Sequence, residues 1–66
     1  MWSPIIGENA GKVWQVLNTK GQTDVYTLKK TAGLNDKNLY LALGWLSREE
    51  KVAFNQNQKQ VLVSLK

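Results

Sequence analysis

The run Leu39-Tyr40-Leu41-Ala42-Leu43-Gly44-Trp45-Leu46 constrains this chain more than any other feature, because its eight successive uncharged residues cannot all lie on one buried face. The whole chain has 66 residues, enough for one domain spanning 1–66. A domain that small hides only about 60% of the surface its unfolded form exposes, so every large apolar side chain is a core candidate first. Cysteine and histidine are both absent. That removes a disulfide framework, thiolate metal sites, and the commonest metal ligand and general base. Packing alone has to hold the fold. Hydrophobic residues at 42% and charged residues at 21% are the composition of a folding chain rather than a disordered one.

The rest of the chain supplies partners for that run. Ser3-Pro4 reads as a helix start, a capping acceptor followed by the residue tolerated in the first turn, with Gly7 delaying the regular helix by a few residues. Ile6, Ala10, Val13 and Leu17 then recur at helical spacing, widened by Trp14 and Val16 into one buried face, and Lys20-Gly21 closes the helix. Asp24 caps a short second helix over 25–32 that buries Val25 and Leu28, leaves Lys29 and Lys30 outside, and ends at Gly33. Leu34 plugs the turn, and Asn35 or Asp36 caps a third helix reaching roughly to Glu49. Helix, short turn, helix is the helix-turn-helix spacing. Val52 and Phe54 alternate within 51–55, as do Val61, Val63 and Leu65 within 60–65. Both segments read as half-buried strands, joined by the polar tract 56–59 into a hairpin.

This order, three helices followed by a two-stranded β-hairpin, makes an α+β fold that resembles the winged helix-turn-helix domains. More narrowly, Ala10-Gly11-Lys12-Val13-Trp14 with Leu17, and Leu39 through Glu49, resemble a small prokaryotic family of stand-alone winged helices. The resemblance spans nearly the whole chain. It implies the winged-helix fold and a nucleic-acid role, with no particular operator. Glu50 departs from the pattern, since winged helices often place glycine between the third helix and the wing. If that position needs a positive φ, Glu50 costs up to ~1 kcal/mol.

At about 100° per residue, Leu39, Ala42, Leu43 and Leu46 gather on one side of the third helix and face the core. Lys37, Leu41, Gly44 and Arg48 lie opposite, with Tyr40 and Trp45 on the flanks. In the winged-helix docking mode that outward face enters the major groove of double-stranded DNA. A DNA reading gives Lys37 and Arg48 to phosphates, Asn38 and Tyr40 to hydrogen bonds at the groove edge, and Leu41 to a thymine methyl, while Gly44 admits a close backbone. It implies weak sequence discrimination. An interaction reading makes Tyr40, Leu41 and Trp45 an apolar patch for a protein partner or a second copy of the chain. A packing reading puts Trp45 under the wing or the amino terminus and Tyr40 against the second helix, leaving only Leu41 exposed.

Lys29 and Lys30 lie where phosphates would be expected, and Lys59 sits on the wing among amides that serve equally as a polar turn. The net charge of +4 favours polyanions modestly. Trp14 belongs to the core stripe of the first helix; Trp2 either docks against it or stays open for stacking. Enzyme chemistry is not expected. Ser3, Ser47 and Ser64 have no histidine to activate them, and Glu8, Asp24, Asp36, Glu49 and Glu50 form no acid and base pair on one face. No phosphate-binding glycine loop, cofactor motif, leader or membrane span is evident, and the expected compartment is the cytoplasm.

Overall fold

A computed structural model of the protein describes residues 3–66. Its elements run α1 (Ser3–Lys20), β1 (Thr23–Asp24), α2 (Val25–Ala32), α3 (Asp36–Arg48), β2 (Val52–Gln56) and β3 (Val61–Leu65). The strands form an antiparallel sheet in the order β1-β3-β2, with Thr23 opposite Val63 and Val63 opposite Phe54. Beyond the expected hairpin, then, the sheet has a third strand. It is supplied by the residues that cap α2. An N-cap residue is extended by nature, and Asp24, at φ −71° and ψ 154°, pairs with Leu62 while its carboxylate accepts the Thr27 N–H at 3.0 Å.

α1 runs unbroken through Gly7, because burying Ala10, Val13 and Leu17 outweighs the modest helical cost of a glycine. Ser3 is already helical rather than the cap. The reading of Trp2 lies outside the described residues. The buried cluster joins those three side chains to Leu28 of α2, Leu39, Ala42, Leu43 and Leu46 of α3, and Val52 and Val63 of the sheet. Asn9 is buried as well, next to the apolar stripe.

Both later helices end in the same bond pattern, for which the residue after the helix takes a left-handed conformation. After α2, Gly33 has φ 70°, its N–H reaches the Lys30 carbonyl at 3.2 Å, and Leu34 N–H reaches Lys29 at 3.1 Å. After α3, Glu50 takes that place at φ 57°, with Glu50 N–H on Ser47 at 3.0 Å and Lys51 N–H on Leu46 at 2.9 Å. Those bonds commit Lys51 to the helix end, so β2 starts at Val52 rather than at residue 51. A side chain at positive φ is strained, and an exposed ion pair with Lys66 at 3.7 Å offsets little of that. Glu50→Gly is expected to raise stability by about 0.5 to 1 kcal/mol, read from the midpoint of urea unfolding.

Asp24 gives the fold a pH dependence. Hydrogen bonds from Thr27, through its side chain first and then its backbone, hold the Asp24 carboxyl below its ordinary value of 3.8. A lowered folded-state pKa contributes stability that is present above the unfolded value and lost as pH falls through the folded one. Melting temperature should therefore drop below about pH 4. Asp24→Asn, which caps without titrating, should flatten that part of the profile.

Candidate nucleic-acid interface

α2, α3 and the β2–β3 wing enclose an open cleft of about 880 Å³. Strand alternation explains its floor. Val52, Phe54 and Gln56 share the helix-facing side of the sheet with their partners Leu65, Val63 and Val61. Val52 and Val63 are covered by the helices, whereas Phe54 and Val61 lie farther toward the wing tip and line the cleft instead. The far wall is the Tyr40, Gly44 and Ser47 face of α3, and the near wall is Tyr26 and Lys29 of α2. Three aromatic rings are thus held exposed around one opening: Tyr26 at 66%, Tyr40 at 58% and Phe54 at 48%. A β-carbon added at Gly44 would meet nothing within 4 Å, so the middle of this face of α3 is open to close approach.

The charges here are paired and mixed. Lys29 Nζ lies 2.9 Å from Asp36 Oδ1 across the turn between α2 and α3, and that hydrogen bond, with the attraction of the carboxylate, raises the lysine's pKa. Lys30 donates to Tyr26 Oη at 3.3 Å, with its ammonium 5.0 Å from the centre of the ring. Asp24, Asp36, Lys29 and Lys59 are the charged residues of the lining. At the wing tip the Asn57 side chain is committed to the turn, its Oδ1 accepting N–H groups from Lys59 at 3.1 Å and Gln60 at 2.9 Å.

Of the residues assigned to DNA from the sequence, the cleft brings together Lys29, Tyr40, Gly44 and Lys59. Lys30, Lys37, Asn38, Leu41 and Arg48 lie outside its lining. The exposed face of α3 is therefore rotated toward Tyr40 relative to the helical-wheel expectation. Leu41, expected to be exposed, is half-buried. Its neighbour one helical turn on is the large side chain of Trp45, itself 38% exposed, and side chains four apart lie against each other. Tyr40 is not packed away against α2; it stands open across the cleft from it. Asn35, not Asp36, caps α3, accepting the Asn38 N–H at 2.8 Å. Sequence reasoning missed Tyr26, Phe54 and Val61. The alternation that places Phe54 on the inner face was legible, but not how far the helices reach along the hairpin.

Residues 1–65 match the family described as a winged helix-turn-helix domain, DUF2582. The chain belongs to that family. An uncharacterised protein of Methanocaldococcus jannaschii is 32% identical over 68 residues, covering all of this chain and 96% of its own length. The solution structure of a Bacteroides thetaiotaomicron protein superposes on this winged helix with a TM-score of 0.89 at 34% identity, over 98% of this chain and 79% of that one. The Zalpha domain of Carassius auratus PKZ, solved in complex with Z-DNA, gives a TM-score of 0.78 at 21% identity, over 92% of this chain and 97% of that one. At that identity the likeness is one of fold. No helix among the described residues of this winged helix is long and apolar enough to cross a membrane.

Proposed function

We propose that this winged helix is a small DNA-binding protein of low intrinsic sequence specificity, acting in transcription regulation in the cytoplasm as one domain over 1–66, with no catalytic role and no cofactor. The observation that carries the reading is the cleft itself: three exposed rings, with Lys29, Lys30 and Lys59 around them, gathered where α3 meets the wing. A winged helix meets nucleic acid with its third helix and its wing, and the Zalpha domain of the same fold was solved with Z-DNA. Low specificity follows from α3, whose cleft-side residues include Tyr40, Gly44 and Ser47 and no arginine, asparagine or glutamine to read base edges in pairs. Lys30, Lys37 and Arg48 flank the face as phosphate contacts, and Asn38 and Leu41 fall to its margin. Association through Tyr40, Leu41 and Trp45 is the second reading; Trp45, exposed outside the cleft lining, is what favours it.

Titration with duplex DNA while backbone amide shifts are recorded tests the proposal. Shifts should concentrate on α3, the first turn of α2 and the wing tip. Log affinity should fall linearly with log salt, and Lys59→Ala should reduce that slope by about 1. Unperturbed amides at millimolar protein would end the reading for duplex DNA, and sedimentation over a concentration series would then decide for or against self-association.

A further inference from the structure

The charge pattern of the cleft says which part of a nucleic acid belongs inside it. Two of the four charged residues of the lining are the carboxylates Asp24 and Asp36, which balance Lys29 and Lys59, so the lining offers phosphates no net attraction. A carboxylate accepts hydrogen bonds and donates none. It is therefore matched to N–H donors of the bases, and the imino groups among them can be reached only once a base is unpaired. The rings make the same selection, since every base has a flat face that stacks on an aromatic side chain once it has left its neighbours. Tyr26 also carries the Lys30 ammonium over its ring, which sets a cation at the rim beside an aromatic surface.

Resting on the DNA-binding reading above, we infer that the cleft between α2, α3 and the wing holds an unpaired base stacked on Tyr40 and Phe54, so that the preferred ligand is single-stranded rather than intact duplex DNA. The volume of about 880 Å³ lies within the range of small-molecule sites and accommodates a base with its sugar. Lys59 and Lys30 stand at the opening for the phosphates on either side of that base. Gly44 keeps the α3 wall clear, with no atom within 4 Å of where its side chain would begin.

Fluorescence anisotropy with the full chain decides the matter, using a labelled mixed-sequence strand of about a dozen nucleotides, the duplex of the same sequence and an abasic strand of the same length. The single strand is expected to bind about tenfold or more tighter than either of the others, the equivalent of one good stacking contact. Tyr40→Ala and Phe54→Ala should each weaken single-strand binding by about five- to a hundredfold. Both side chains are about half exposed or more, so both variants should keep the helical circular dichroism of the parent. Tyr40→Phe should recover what Tyr40→Ala loses, because stacking needs the ring and not the hydroxyl. Duplex bound as tightly as single strand, or an abasic strand bound as tightly as a normal one, would overturn the inference and leave DNA binding standing. Binding to none of the three would overturn both.

Discussion

Leu39→Ala is expected to lose about 2 to 5 kcal/mol, the usual range for truncating a buried leucine, and to leave a chain with little or no cooperative thermal transition. Leu39 is wholly buried, in a cluster that draws on all three helices and the sheet. The loss combines the transfer energy of the missing methyls with the cavity left behind, and a core of this size rarely supplies more than about 3 to 5 kcal/mol in total. Leu41→Ala, two positions along the same helix, removes an equal volume from a half-buried site and should cost about 1 kcal/mol. Thermal melts followed by circular dichroism compare the two directly. Equal losses would mean that the Leu41 side of α3 is buried as deeply as the Leu39 side, leaving the Tyr40 and Gly44 face as its open one.

Val63→Asp should have an effect as large by a different route. Val63 is wholly buried in the middle strand, paired with Thr23 on one side and Phe54 on the other. A carboxylate there has neither water nor a partner charge, a penalty of several kcal/mol that the chain avoids by protonating the group or by unfolding. The folded-state pKa of the new aspartate would be raised, so its destabilisation sets in as pH rises through the unfolded value near 4 and is relieved below it. The variant should thus be unfolded at neutral pH and regain structure on acidification, the reverse of the trend that Asp24 gives the parent protein. Ser64→Asp, one residue on and on the opposite face of the strand, should stay folded at both pH values. If the two substitutions behave alike, the register of β3 is wrong.

The parts of this fold that announce themselves in the sequence are those with a repeated physical signal. The stripe through Ala10, Val13 and Leu17 has the helical period, Asp24 and Gly33 bracket α2 with the chemistry of its two ends, and Val61, Val63 and Leu65 alternate. β1 gave no such signal, because two residues cannot display a period and Asp24 was already accounted for as a cap. Glu50 was legible as a conditional cost, and the positive φ supplies the condition. The candidate site was legible only in part. Lys29, Tyr40, Gly44 and Lys59 could be named from a helical wheel and a hairpin, but a wheel assigns one core direction to a helix. α3 packs on α1 along one side and on β2 along another, and that second contact turns Tyr40, rather than Leu41, toward the opening. Tyr26 and Phe54 join Tyr40 through the tertiary arrangement alone.

β3 follows the other elements in chain order, yet it is the middle strand of the sheet. β1 and β2 do not touch as strands, so the segment between the first two helices is fastened to the wing solely through β3. A fold joined this way has no stable half. Helices and hairpin can each flicker into shape locally, but the long-range pairing of Thr23 with Val63 must wait for both, and its amides can open only when the whole domain does. Hydrogen exchange at Val63 would then report the global unfolding free energy, while the wing tip, whose Lys59 and Gln60 amides are bonded only in the exposed turn at Asn57, would exchange through local opening at far lower free energy and remain adjustable without loosening the rest.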